Sequence, residues 1–273
     1  FSASAAFSGS INTLWGTFWS DSESSFSDGA LHCLNSTFDS PSIWDLAVTG
    51  RAITASSDDA GITKVINNCL EYKNSEGWFS LTTAKDQDIY VDDNAQVLWV
   101  FLDAYKKTGN HDHLQIAQSL FQLIKAQWVQ KSGGVRWKLG APYVASISTL
   151  EAALAAARLF QITGDVELIG FAKQCTDWVF KTLVDEKDGL IFDGLNSDTG
   201  EINKGKLSYT VGVMLSTLSI INKSTASASI LKQAVQLAQS ALNTKGVFYN
   251  ADGYWNNRLS YSHLFFGGLV DLL

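Results

Sequence analysis

The sequence predicts an all-α fold in which helical hairpins close into a toroid. Three observations carry this expectation. Only two prolines, Pro41 and Pro142, occur in 273 residues, so long helices run uninterrupted. Apolar residues recur at helical spacing in segment after segment. A helix–turn–helix unit also repeats, and long connections between units favour a closed ring over an open stack.

The stripes can be followed along the chain. Val97, Leu98, Phe101, Leu102 and Tyr105 form one, and Leu114, Ala117, Leu120, Phe121 and Ile124 the next. Leu150, Ala153, Leu154, Ala157 and Leu159 follow, then Leu168, Phe171, Ala172, Cys175, Trp178 and Val179. Pattern and capping signals together delimit about ten helical segments. Trp15, Trp19, Trp99, Trp128 and Trp178 lie inside such segments and are expected in the core, where large aromatics contribute most burial.

The repeat is clearest at its turns. Thr108-Gly109-Asn110 and Thr163-Gly164-Asp165 each precede a helix that begins with a polar run and carries Leu and Ala about one turn apart. Gly109 and Gly164 are 55 residues apart. Each Gly is expected to end one helix in the left-handed conformation, and Asn110 or Asp165 to cap the next. Weaker copies surround Ser57-Asp58 and Ser224-Thr225. Between hairpins lie loops rich in Gly, Asp, Asn and aromatics, at 77–92, 131–143, 185–208 and 246–257. Loops of this kind would gather on one face and build a groove. The Ser-rich stretch 20–27 reads as an interhelical loop, so residues 1–273 are expected to form one domain.

Composition narrows the function. The formal net charge is −7 and no Lys/Arg cluster occurs, which argues against nucleic acid or an anionic membrane surface as partner and leaves neutral sugars open. Charged residues are only 17%, against about 25% in average soluble proteins. Together with a first residue that is Phe1 and two sequons, Asn35-Ser36-Thr37 and Asn222-Lys223-Ser224, this points to a secreted chain. No apolar run reaches membrane-spanning length. Cys33, Cys69 and Cys175 are simplest to read as one disulfide plus a buried thiol. Their spacing fits no zinc pattern, and His111 and His113 point to different faces of any helix, so neither a metal nor another cofactor is expected.

The chemistry concentrates in Tyr90-Val91-Asp92-Asp93-Asn94-Ala95-Gln96, where a long loop meets a helix. Asp93-x-x-Gln96 resembles a capping box, and acids suit the positive end of a helix. The same pair also suits glycoside hydrolysis. Two adjacent carboxyls cannot both ionise cheaply, so one stays charged while the other holds a proton. Retaining glycosidases place their two carboxyls about 5 Å apart.

This segment resembles the Asp-Asp motif of family 76 glycoside hydrolases, the endo-α-1,6-mannanase family. Gly133-Gly134-Val135-Arg136-Trp137 is similar to the family's Gly-Gly-x-x-Trp loop. Ala155-Ala156-Ala157-Arg158-Leu159-Phe160, continued by Thr163-Gly164-Asp165, resembles its Ala-Ala-Arg-Leu-Tyr helix end. Asp188-Gly189-Leu190-Ile191-Phe192-Asp193-Gly194 resembles its Asp-Gly-Leu-x-x-Asp-Gly loop. The resemblance implies an (α/α)6 toroid, here short of the full twelve helices, and retaining cleavage of α-1,6-linked mannan by a monomer. It assigns Asp92 as nucleophile and Asp93 as acid/base.

Substrate-binding candidates follow from this frame. Trp78, Trp137 and Trp255 lie in the loops and offer faces on which a pyranose could stack, and Tyr90 precedes the acid pair. Asp193 matches an acidic position of the family, and equally suits a turn before Gly194. Tyr209 opens Tyr209-Thr210-Val211-Gly212, where the family reads Tyr-Asn-Gln-Gly. Ala145-Ser146-Ile147-Ser148-Thr149 replaces an Asn-rich helix start. Losing these amides leaves other readings open: a glycan-binding toroid without turnover, a cell-wall mannan transglycosylase, or a hydrolase of another (α/α)6 family acting on sugars such as unsaturated glucuronides.

Overall fold

The computed structural model describes residues 2–273 except Leu34, Ser57, Asp58 and Asp86. The weak repeat copy expected around Ser57 and Asp58 therefore lies outside the described residues. Ten helices and five short strands occur among the described residues, matching the pattern count and falling short of twelve. No described helix is long and apolar enough to cross a membrane. The chain divides into two compact units, residues 1–123 and 124–273.

The first unit opens with α1 (Ala3–Phe18), which buries only Ile11, and a small hairpin of β1 (Trp19–Ser20) and β2 (Ser25–Phe26). Then come α2 (Ile43–Ser56), α3 (Asp59–Leu70) and α4 (Val91–Thr108), and α5 (His111–Lys125) begins. Gly50 lets α2 approach α4: a Cβ there would meet the Val100 methyls at 3.0 and 3.2 Å. Asn68 ties α3 to the small hairpin, accepting from the Phe26 amide at 3.0 Å and donating to Ser25 Oγ at 2.8 Å.

The second unit holds β3 (Tyr143–Ala145), α6 (Ser146–Thr163), α7 (Val166–Thr182), β4 (Gly194–Asn196) and β5 (Ile202–Asn203). It closes with α8 (Ser208–Thr225), α9 (Ala228–Ala241) and α10 (Leu259–Leu272). The three strands form one antiparallel sheet, β3-β4-β5, with Ala145 opposite Gly194 and Gly194 opposite Asn203. Gly212 and Gly268 bring α8 and α10 into backbone contact, and a Cβ at either position would collide with the other helix.

Two kinds of helix alternate. α4, α6 and α8 are buried nearly all round, as helices of an inner layer must be. α3, α5, α7 and α9 bury one stripe and expose the other, as outer helices do. The expected turn chemistry joins them. Gly109 (φ 69°) and Gly164 (φ 72°) end α4 and α6 in the left-handed region. Thr108 and Thr163 each donate to the carbonyl four residues back and accept from the amide two residues on. Asn110 and Asp165 accept from the amides of Asp112 and Glu167 at 3.0 and 2.9 Å. The copy near Ser224-Thr225 is also present: Thr225 donates to the Ile221 carbonyl at 2.9 Å, but the left-handed residue is Ala226 (φ 50°).

A second repeating device follows the outer helices, and the sequence reading had not isolated it. Short antiparallel bridges pair Lys73 with Phe79, Trp128 with Val135, Val184 with Ile191 and Tyr249 with Trp255. Asn74 and Asn250 organise two of these turns identically, each side chain accepting from the amides two and four residues on.

The cysteine expectation needs correction, because all three cysteines are free. Cys33 is exposed, while Cys69 and Cys175 face the cores of their own units from α3 and α7. Burial pushes the Cys69 thiol up to about 12 and raises that of Cys175 as well, so both behave as apolar packing groups.

Candidate active site

Asp92 and Asp93 are the second and third residues of α4, in the first turn of a helix whose N-cap is Tyr90. The capping-box reading does not describe them, since Tyr90 makes no side-chain cap and both acids are already helical. The residue that fastens this helix end is Asn94. Its Oδ1 accepts from the Phe79 amide at 2.8 Å, and its Nδ2 donates to the carbonyls of Phe79 (2.9 Å) and Tyr90 (2.7 Å). The long loop and the acid pair are thereby fixed to each other. Tyr90 takes part through its backbone carbonyl.

The proton affinity of Asp93 follows from opposing effects. A helix N-terminus favours a carboxylate by about 0.3–1 kcal/mol when exposed. Burial can raise a carboxyl by as much as several pKa units, each about 1.4 kcal/mol. Burial wins: Asp93 is held well above the ordinary carboxylate range, and the charges of Asp92 and then Asp45 push it further. Asp45 stands in the first turn of α2, and the sequence reading missed it. Its signal was present as Ser42-x-x-Asp45, which reads locally as a helix start. Ser42 Oγ donates to Asp45 Oδ2 at 2.6 Å and accepts from the Asp45 amide at 3.2 Å.

In the second unit, Asp193 and Trp137 are brought together through Tyr143. The Tyr143 hydroxyl donates to Asp193 Oδ2 at 2.5 Å, and Asn203 Nδ2 donates to the same oxygen at 2.9 Å. Burial, the bond to Asp193 and its charge all raise the Tyr143 hydroxyl, so Tyr143 stays a donor. The Trp137 ring meets Tyr143 edge-on at 6.4 Å and is 38% exposed. Asp193 is not the turn residue that its place before Gly194 also suggested: it leads directly into β4, its amide donating to the Gly205 carbonyl and its carbonyl accepting from the Ser146 amide. Tyr143 and Asn203 were not foreseen, because strand pairing rather than sequence proximity places them.

The Gly-Gly-Val-Arg-Trp loop owes its shape to its glycines. Gly133 and Gly134 have φ of 74° and pass against the Trp178 indole, leaving no room for a Cβ. Ser148 donates to the Val135 carbonyl (2.9 Å) and Thr149 accepts from the Val135 amide (2.9 Å). The residues standing where amides were expected thus hold the Trp137 loop. Thr210 and Val211 are buried within α8.

The remaining candidates divide. Trp255 stacks on Phe265 at 5.1 Å and 13°, donates to Ser262 Oγ at 3.2 Å and is half-buried. Tyr209 packs on Tyr261 at 5.3 Å. Trp78 does not fit the expectation of an open stacking face: it is 4% exposed, because the Asn74 turn folds it inward. Among the described residues, no group of three or more His, Cys, Asp or Glu could hold a metal ion.

Comparison with known proteins gives this arrangement its context. The sequence model of Glycosyl hydrolase family 76 matches residues 2–272, and the chain belongs to that family. Its fold is that of the family's solved (α/α)6 toroids. A family 76 α-mannanase of Bacteroides thetaiotaomicron superposes with a TM-score of 0.79 at 20% identity, covering 99% of this chain and 78% of that one. The α-1,6-mannanase GH76A of Salegentibacter sp., solved with α-1,6-mannotetrose as an inactive variant lacking two consecutive aspartates, gives 0.78 at 18% identity, covering 100% of this chain and 80% of that one. By sequence, the Meiotically up-regulated gene 191 protein of Schizosaccharomyces pombe is 29% identical over 209 residues, 68% of this chain and 45% of that protein. The Mannan endo-1,6-alpha-mannosidase DCW1 of Candida albicans is 27% identical over 139 residues, 47% of this chain and 31% of that protein. The chain spans less than half the length of these two relatives.

Proposed function

We propose that this chain is a retaining glycoside hydrolase that cleaves α-1,6-linked mannan with Asp92 as nucleophile and Asp93 as acid/base. The observation that carries the reading is the split character of the pair: Asp93 is held in its proton-carrying form by burial and by the charge of Asp92 beside it. The paired aspartates replaced in the inactive Salegentibacter variant support the same assignment.

In the first step the Asp92 carboxylate attacks the anomeric carbon while Asp93 gives its proton to the glycosidic oxygen, which leaves as an alcohol. In the second, Asp93 takes a proton from water, whose oxygen attacks the same carbon and releases Asp92. Two displacements retain the configuration. Within the second unit, Trp137, Asp193 and Trp255 are offered as sugar-contacting groups in their own right, with Tyr143 and Asn203 orienting the Asp193 carboxylate. The working place is a mannan-bearing cell wall or extracellular medium, in keeping with the acidic, weakly charged surface and with Asn35 in an exposed turn.

Incubation with α-1,6-mannan, read as new reducing ends between about pH 4 and 8, tests the proposal. Product is expected, and Asp92→Asn should abolish it without loss of helicity. No product at any pH overturns it, and calorimetric binding without turnover would identify a glycan-binding toroid instead.

A further inference from the structure

We propose that Asp45 is a positioning residue for the acid pair, a carboxyl group fixed by Ser42 at the head of α2 beside the first turn of α4. The proposal rests on the acid/base role of Asp93 given above.

The geometry comes from helix packing. α2 and α4 lie against each other at Gly50 and Val100. Both helix starts are tied to one short stretch, Ile43 to Leu81 and Asn94 to Phe79, so the two helices run in the same direction. Asp45 acts on Asp93 near the two N-termini. Further along, the Arg51 guanidinium reaches Asp103 at 3.6 Å and lies 5.1 Å from the Trp99 ring centre. The first turns of the two helices are therefore side by side, so the two carboxyl groups share one end of the packed pair.

Asp45 is also held in place. The reciprocal bonds with Ser42 fix its carboxylate, and the Ile43 amide donates to the Leu81 carbonyl at 3.1 Å, tying the start of α2 to the loop that leads toward α4. The groups acting on Asp93 are Asp92 from its own helix and Asp45 from α2. α3 also packs on α4, but its Lys64 is turned to the Trp15 and Trp19 rings at 5.7 and 4.9 Å, and its Asp59 and Cys69 are not among the groups acting on Asp93. A like charge held close to a buried carboxyl favours its neutral form.

Two readouts on Asp45→Asn decide the matter. The titration of Asp93 is followed by carbon-13 shifts of aspartate carboxyls, assigned with Asp93→Asn, and the pH dependence of kcat/KM on α-1,6-mannan is measured beside it. The Asp93 midpoint and the alkaline limb of the profile are both expected to move to lower pH, so activity falls several-fold more at the alkaline end than at the acid end. Asp45→Glu, which keeps the charge, should restore most of the limb. An unmoved midpoint, or an equal loss at every pH, overturns the proposal. Should Asp45→Asn fail to fold, Asp45→Ser carries the same readouts. If the parent chain makes no product, the catalytic reading fails and the carbon-13 midpoint alone decides the role of Asp45.

Discussion

At the scale of single residues, Asp93 ties function to stability. Its proton affinity in the folded chain is raised above that of the unfolded chain, chiefly by burial. The folded state therefore binds more protons than the unfolded state as pH climbs through the carboxyl range, and stability falls with rising pH there. The contribution is fully present below the unfolded pKa of about 3.9 and is lost as pH rises through the folded value. Asp93→Asn removes this liability. The variant should melt at a higher temperature than the parent at pH 7, with the difference vanishing toward pH 3. Calorimetric scans across that range check it, and a lower Tm at pH 7 would count against the burial account. Removing the Tyr143 hydroxyl illustrates the opposite case. Tyr143→Phe deletes a bond to a charged acceptor, worth about 1.5–3 kcal/mol in general, and should destabilise the second unit while weakening mannooligosaccharide binding.

At the scale of elements, the turns between inner and outer helices were legible because their chemistry is local. Thr, Gly and Asn or Asp in sequence specify one helix end and the next start, and Gly109 and Gly164 adopt the expected conformation. The third copy tests the logic. Ala226 occupies the left-handed position with φ 50° and ψ 39°, where an L side chain is strained. Ala226→Gly should stabilise the chain by about 1 kcal/mol, seen as a raised denaturation midpoint with unchanged slope. Other features were illegible for equally physical reasons. α4 and α6 start where the loops before them end, as expected, but neither has a side-chain cap, so the capping-box pattern at Asp93 was misleading. Trp78 looked like a loop residue open to sugar, but the Asn74 turn that buries it is a pattern of backbone amides. Asp45, Tyr143 and Asn203 join the candidate sites only through helix or strand partners far away in sequence. The acid pair itself was visible, yet its local signature also fitted a cap.

At the scale of the whole molecule, a chain with net charge −7 and no basic cluster has little long-range attraction for polyanions. Recognition of a neutral glycan must then come from stacking and short hydrogen bonds, which salt screens little. Affinity for mannooligosaccharides should change less than about twofold between 50 and 500 mM NaCl, a range across which contacts to a charged polymer weaken by orders of magnitude. Titration calorimetry at the two salt concentrations checks this, and a steep salt slope would favour an anionic substrate instead.

The Asn94 clasp carries a further consequence, concerning chemical ageing. An asparagine that loses its amide nitrogen becomes an aspartate, a change that needs no mutation and leaves the outline of the side chain almost untouched. At this position the product would be a run of three acids, and the two carbonyls that now receive protons from Nδ2 would instead face a carboxylate oxygen. The setting of the Asp92–Asp93 turn is therefore tied to the hydrolytic survival of one primary amide, and the helix that immobilises Asn94 also shields it from the backbone attack through which such amides are lost.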